Sequence, residues 1–343
     1  MKYFAAVDQG GSKTEALVFN DAGEILAFGD DRSIRKPGES YAKMQGAWIA
    51  AAVTAALNKL KLSLSDLSGV SCALNGADWD EDYPRLQQLV MTHLHLPADS
   101  VLIFNDCIGA MRGGDLRLDG NVAVLCMGTG MNAAVRAADG REYIYGYYLN
   151  APDQGGGALG TRAWQSMIDA HNGFIPPTLI TDFALKRYGM YEECCIDGKP
   201  DMEGLYKKFT TNQIFFRNHD FCPILMQAAK AGDAAAQNIL EEFCSRVLRY
   251  ITAGAQRLGI EREAITLICT GNVFKGDGQL FFELITQQLL KIAPNIQCIP
   301  AKYEPVAGTA LLLLDHLNAG SDQPQQIFRN FDLDARRFGL IRS

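Results

Sequence analysis

One pattern occurs twice in this chain and limits its fold more than any other feature: strand, glycine loop, strand, tight turn, strand. In the first copy the apolar run Tyr3–Val7 reads as a buried strand and leads into the loop Asp8-Gln9-Gly10-Gly11-Ser12-Lys13-Thr14. Glu15–Phe19 reads as a second strand, Asn20-Asp21-Ala22-Gly23 as a turn and Glu24–Phe28 as a third strand. The second copy has a strand over Asn121–Cys126, the loop Met127-Gly128-Thr129-Gly130-Met131 and a strand over Asn132–Ala137. It closes with the turn Ala138-Asp139-Gly140 and a strand over Arg141–Tyr147. The spacing between copies is far longer than a solenoid repeat, so the pattern implies a structural duplication.

The stretches between and after the copies fill in an α/β architecture. Ser33–Ser40 is a polar loop, and Tyr41–Lys61 carries apolar residues at helical spacing. A strand over Gly69–Leu74 ends at Asn75-Gly76-Ala77-Asp78, a helix covers Glu81–Leu94, and a strand over Val101–Phe104 ends at Asn105-Asp106. Residues from Cys107 to Gly114 read as helix, so a mixed sheet with helices packed on it is expected. Polar residues and glycines near Leu116–Gly120 mark a domain boundary. A mostly helical insertion follows over about residues 163–262, broken at Pro176-Pro177 and Gly198-Lys199-Pro200. Its Asp233–Gly259 portion reads as one or two helices with Glu241, Arg246 and Arg249 facing water. A strand over Ala264–Cys269, the loop Thr270–Lys275, a helix over Phe281–Ala293, a strand over Asn295–Pro300 and an apolar helix from Pro305 to Leu314 complete the order. The tail after Gly320 reads as polar and loose. The expected domains are 1–117, with a helix about 305–318 packing back on it, and 118–304.

Bulk properties exclude some functions. At 343 residues two domains are expected, and the net charge of −7 argues against sequence-independent nucleic-acid binding. Nine scattered cysteines, with Cys194-Cys195 the one close pair, make no disulfide framework and no zinc or iron–sulfur spacing. No signal sequence is visible before Asp8, and Ala307–Leu314 is too short to span a membrane. A cytoplasmic protein with reduced thiols is the expectation.

The first loop sits at a hairpin tip, not at the start of a helix, so it matches neither a Walker loop nor a dinucleotide fingerprint. Glycines without Cβ atoms let the backbone approach a phosphate, and their N–H groups form an anion-binding concavity. Ser12 and Thr14 add hydroxyls, Lys13 adds a positive charge, and Asp8 is placed to hold a hydrated Mg²⁺. The alternative is a tight hairpin whose glycines only permit the turn. Gly128-Thr129-Gly130 mirrors Gly10-Gly11-Ser12, which suggests two phosphate cradles facing each other across a cleft.

That arrangement resembles the sugar kinase, heat-shock ATPase and actin superfamily. Within it the chain is similar to the N-acetylglucosamine kinase branch, related to the BadF/BadG/BcrA/BcrD ATPases. The matching stretches are Val7–Thr14, Leu74–Asp78, Phe104–Cys107, Cys126–Gly130, Asp153–Gly160 and Cys269–Lys275. The resemblance implies two duplicated ribonuclease H-like domains, the actin-like ATPase fold, with a central ATP cleft. It implies a kinase that uses ATP and Mg²⁺ on an amino sugar, most nearly N-acetylglucosamine.

It also assigns roles: Asp106 as the base that takes the acceptor hydroxyl proton, Asn105, Asp153 and Gln154 at the sugar, and Gly271 and Asn272 at the adenosine. Read without the resemblance, Asp106 is a helix cap and Asp153 a solvated loop acid. A small-molecule sugar is the implied partner, without nucleic acid or membrane, and a homodimer is allowed. The chain departs from the pattern before Asp153, where the family's tryptophan is absent, and at Gln154 and Gly156, where Glu and Ser are usual. Tyr147, Tyr148 or Trp164 is left to supply stacking. Two other readings are an ATPase that activates a 2-hydroxyacyl-CoA dehydratase and a catalytically altered sugar-binding relative.

Overall fold

Both copies of the repeated pattern build a five-stranded sheet in a computed structural model that describes residues 1–11, 13–34, 37–114, 120–196, 199–318 and 324–342. In the first, β1 (Tyr3–Gln9), β2 (Thr14–Asn20) and β3 (Ile25–Asp31) form an antiparallel meander. Then come α1 (Tyr41–Lys59), β4 (Leu67–Leu74), α2 (Asp82–Leu94), β5 (Val101–Asn105) and α3 (Asp106–Gly114). β4 runs parallel to β1 and β5 parallel to β4, giving the order β3-β2-β1-β4-β5. The Tyr3–Val7 run is continuously apolar because both faces of the strand are buried. Ala5 and Val7 join a core with Val18, Ile49, Val53 and Leu86, while Phe4 and Ala6 join another with Leu17, Phe19, Leu311 and Leu314.

The second sheet repeats this plan. β6 (Asn121–Met127), β7 (Met131–Arg136) and β8 (Glu142–Ile144) are followed by α4 (Gly155–His171), α5 (Leu179–Arg187), the two-stranded β9 (Cys195–Ile196) and β10 (Lys199–Pro200), α6 (Glu203–Thr210), α7 (Cys222–Lys230) and α8 (Ala234–Leu258). β11 (Ile265–Thr270), α9 (Gln279–Ile292) and β12 (Ile296–Pro300) complete it, in the order β12-β11-β6-β7-β8. Read from the other edge, this is the strand order of the first sheet.

Two details differ from expectation. β8 is shorter, because the chain turns into a 3₁₀ segment at Gly146–Tyr148. The insertion begins earlier, with α4 starting at Gly155. Trp164 is partly buried inside the insertion, its ring 4.9 Å from Phe216 and 5.2 Å from Phe221. The Asp233–Gly259 portion is one helix, capped by the Asp233 carboxylate on Ala236 N–H (2.8 Å) and stopped by left-handed Gly259 (φ 75°).

The chain divides into two compact units, residues 1–124 with 299–343, and residues 125–298. Near the expected boundary, residues 115–119 lie outside the described residues. α10 (Pro305–Leu317) belongs to the first unit and packs on α3. The approach is close: a Cβ on Gly308 would lie 2.0 Å from the Gly109 carbonyl. The tail is not loose. α11 (Pro324–Arg337) buries Phe331 and Ala335 in the first unit's core. Tyr303 Oη donates to Asp332 (2.7 Å), Asn330 Nδ2 to the Ala22 carbonyl (2.9 Å) and Ile25 N–H to Asp334 (3.1 Å). The helical spacing of Ile327, Phe328, Phe331 and Ala335 was hidden by the polar residues around it. Among the described residues no helix is long and apolar enough to cross a membrane.

Candidate functional site

Strand alternation decides which way each residue of the first loop faces. Asp8 pairs with Glu15 and Gln9 with Thr14 across β1 and β2, so the two pairs lie on opposite faces of the sheet. Gly10 N–H closes the tip onto the Lys13 carbonyl (3.1 Å), and Gly11 is exposed. Ser12 lies outside the described residues. Lys13 Nζ is paired with Glu15 (2.7 Å). The Thr14 side chain is fully buried and shares a hydrogen bond with Ser33 (2.8 Å). Strand alternation turns its hydroxyl toward α1.

On the other face, burial pushes the Asp8 carboxyl well above its ordinary range, and the charges of Glu15 and Asp106 push the same way, against Lys13.

The carboxyl ends of the parallel strands β1, β4 and β5 bring the next residues together. Asn75 N–H donates to the Gln9 carbonyl (2.9 Å). Gln45 on α1 donates to Gln9 Oε1 (2.7 Å) and to the Asn75 carbonyl (3.1 Å), a buried tie that sequence reading missed. Asn105 is fully buried. Its Nδ2 donates to the Ala77 carbonyl (3.1 Å) and Asp78 Oδ1 (3.0 Å), and its Oδ1 accepts from Cys107 N–H (2.9 Å). Asn105 is therefore the cap of α3. Asp106 is the first residue of α3, partly exposed and within electrostatic range of Asp8. The cap role that the bare sequence allowed for Asp106 is filled by its neighbour.

In the second unit the glycines interlock. Gly156 N–H donates to the Gly128 carbonyl and Gly157 N–H to the Thr129 carbonyl, both at 2.8 Å. The first turn of α4 is thus seated on the 128–130 loop. A Cβ on Gly155 (φ 49°) would lie 2.1 Å from the Gly130 carbonyl. Gly271 (φ 105°) is seated in the same way, with 2.1 Å between its would-be Cβ and the Met127 carbonyl. Thr129, Gly130 and Asn272 are exposed, and a Cβ on Gly128 would meet nothing within 4 Å. Gln154 Oε1 lies beside Gly130 and 3.5 Å from Met131 N. The structure therefore brings Gly128-Thr129-Gly130, Gln154, Gly271 and Asn272 into one cluster.

Asp153 is neither a solvated acid nor an open carboxylate. It is fully buried; Oδ1 accepts from Arg246 Nε (2.5 Å) and Oδ2 from Tyr250 Oη (2.8 Å). Tyr250 Oη in turn accepts from Asn150 N and Nδ2, both at 3.0 Å. Burial acts to raise the Asp153 carboxyl, but the hydrogen bonds from Arg246 and Tyr250 hold it below the ordinary range. Arg246 was expected to face water. Its partner is 93 residues away in sequence, and no local signal announced the pair.

The model of the BadF/BadG/BcrA/BcrD ATPase family matches residues 6–312. A solved protein from Chromobacterium violaceum, described as a candidate N-acetylglucosamine kinase, superposes with a TM-score of 0.59 at 19% identity, covering 92% of this chain and 99% of its own. A second, from Porphyromonas gingivalis and described the same way, gives 0.60 at 17% identity, covering 93% and 100%. A ROK family glucokinase from Streptomyces griseus, solved with glucose and AMPPNP, gives 0.56 at 19% identity, covering 93% and 100%. These likenesses establish the fold. No curated protein matches the chain.

Proposed function

The chain belongs to the BadF/BadG/BcrA/BcrD ATPase family, and within it we propose an ATP-dependent carbohydrate kinase that phosphorylates a hydroxyl of an amino sugar, N-acetylglucosamine or a relative. The observation that carries this reading is Asp106: a partly exposed carboxylate at the end of parallel strands, relieved of capping by Asn105 and set near Asp8. Phosphoryl transfer to an alcohol needs little covalent chemistry from the protein. It needs a base on the attacking hydroxyl, donors around the phosphates and neutralised charge.

Asp106 would accept the hydroxyl proton. The backbone of Gly10–Lys13 and of Gly128–Gly130 would bind phosphate oxygens, and Gly271 with Asn272 would bind the adenosine. The descriptions of the two candidate kinases, and the glucose and AMPPNP in the glucokinase, support sugar and nucleotide as the ligand pair.

Mg²⁺ in such sites rests on one or two carboxylates, waters and the substrate phosphates. Among the described residues no group of three or more His, Cys, Asp or Glu could hold a metal. Asp8 fits the role: burial, with the charges of Glu15 and Asp106, opposes the ionisation of its carboxyl, and a cation beside it would offset that opposition. Bound Mg²⁺ would neutralise charge on the transferring phosphates.

A coupled ADP-release assay over hexoses and amino sugars tests the reading. Folded protein without turnover on any of them rejects it. The closed Asp153 network favours a second reading, a catalytically altered sugar-binding relative, because both carboxylate oxygens already have protein donors. Calorimetry showing sugar binding without ATP turnover would select it.

A further inference from the structure

Four cysteines gather in the second unit: Cys126 on β6, Cys244 on α8, Cys269 on β11 and Cys298 on β12 are close enough to interact electrostatically. Two are in contact, with 3.5 Å between the Sγ atoms of Cys269 and Cys298. Cys269 is buried and Cys298 is partly exposed, and both are free thiols. Metal binding does not account for the pair, since no metal-holding group of such side chains occurs among the described residues. The nucleotide reading leaves both residues without a role.

We propose that Cys269 and Cys298 form a redox modification site, which a hydroperoxide converts to a disulfide that shifts the Gly271-Asn272 segment. The second clause rests on the assignment of that segment to the nucleotide. The roles divide by environment. The hydrogen bond from Cys269 holds the Cys298 thiol below its ordinary range, outweighing burial, with Thr286 acting in the same direction. Burial above all pushes the Cys269 thiol up. Cys298 is therefore the attacking thiolate and Cys269 the resolving thiol.

The Cys298 thiolate attacks the outer oxygen of the hydroperoxide. The O–O bond breaks, giving a sulfenic acid and, after protonation, an alcohol (water when the oxidant is hydrogen peroxide). The Cys269 sulfur then attacks the sulfenic sulfur, the S–O bond breaks, and water leaves with the thiol proton. Two thiols are oxidised and one peroxide bond is reduced.

Forming the bond draws the sulfurs from 3.5 Å to about 2 Å. Cys269 is two residues ahead of Gly271, whose backbone is packed so closely on Met127 that a Cβ would lie 2.1 Å from its carbonyl oxygen. Any displacement of Cys269 along β11 is therefore passed to that contact.

The test treats the reduced full-length chain with hydrogen peroxide and maps the products by peptide mass spectrometry. A Cys269–Cys298 cross-link that dithiothreitol reverses, and that Cys298→Ser abolishes, is expected. Cys269→Ala should leave Cys298 as sulfenic or sulfinic acid without a cross-link. Oxidation that falls first on Cys126 or Cys195, or that joins Cys298 to Cys244, overturns the inference. Oxidation should also raise the Kd for ATP by about tenfold, which is about 1.4 kcal/mol. An unchanged Kd in fully cross-linked protein overturns the coupling. Reduced protein that binds no ATP counts instead against the kinase reading. Amide exchange over residues 270–275 then decides: altered in the oxidised chain supports the coupling, and unaltered refutes it.

Discussion

Replacing Arg246 by Met should destabilise the second unit by more than an ordinary surface change, through Asp153. The carboxylate has no exposed surface, and its Oδ1 loses its partner at 2.5 Å while Oδ2 keeps Tyr250 at 2.8 Å. Removing one partner of a buried pair costs about 3–5 kcal/mol. The Arg246 side chain is 34% exposed, so water reaches the vacated place, and about 2 kcal/mol is the discounted expectation. Asp153→Asn keeps the shape and one acceptor, at a cost of about 1 kcal/mol. The double variant should cost less than the two singles together, by about 1 kcal/mol.

The pH dependence has a fixed sign. The Asp153 carboxyl lies lower in the fold than in the unfolded chain, so its contribution is complete above about pH 4 and is lost as pH falls through the folded value. The Arg246→Met penalty is thus full at pH 7 and shrinks in acid. Urea denaturation of the four proteins, with matched m-values, reads all of this. Additive costs, or an Arg246→Met loss of under about 0.5 kcal/mol, would show that the pair is only a surface contact.

Further outcomes follow from the glycine contacts, the acid beside the first loop and the last helix. Gly271→Ala places a methyl 2.1 Å from the Met127 carbonyl at φ 105° and should cost about 3 kcal/mol or more, read by thermal melting. Gly128→Ala meets nothing within 4 Å, so melting should stay within about 0.5 kcal/mol while ATP affinity falls, read by calorimetry. Asp8→Asn removes a carboxyl whose ionisation the fold opposes. It should stabilise the magnesium-free protein at pH 7 by about 1 kcal/mol and abolish turnover, and the gain should vanish at acid pH where wild-type Asp8 is protonated too. Ending the chain at Asn318 uncovers the core that Phe331 and Ala335 close, and should cost about 3 kcal/mol or more in denaturant titration.

What could be read in advance divides along physical lines. The duplicated meander was legible because apolar runs, glycines and turn residues are local signals, and the sheet orders β3-β2-β1-β4-β5 and β8-β7-β6-β11-β12 repeat them. The burial of Thr14 was also within reach, since period-2 alternation from Val7 and Gln9 turns it away from Asp8 and Glu15. The Asp153–Arg246–Tyr250 network was not, because it joins a loop to a distant helix on which Arg246 reads as facing water. Asn105 shows a further limit. An Asn-Asp pair after a strand gives no local sign of which residue caps the next helix, and the hydrogen bond from Cys107 N–H shows that Asn105 does. The last helix was missed for the opposite reason: four apolar positions at helical spacing were outweighed by the polar majority around them.

The most direct measurement compares wild-type protein with Asp106→Asn in ATP-dependent phosphoryl transfer across amino sugars, with melting and ATP affinity followed in parallel. The account predicts turnover on at least one acceptor, reduced about 100- to 10,000-fold by the substitution, with the fold and ATP binding preserved. A variant that phosphorylates the same acceptor at the wild-type rate would contradict it.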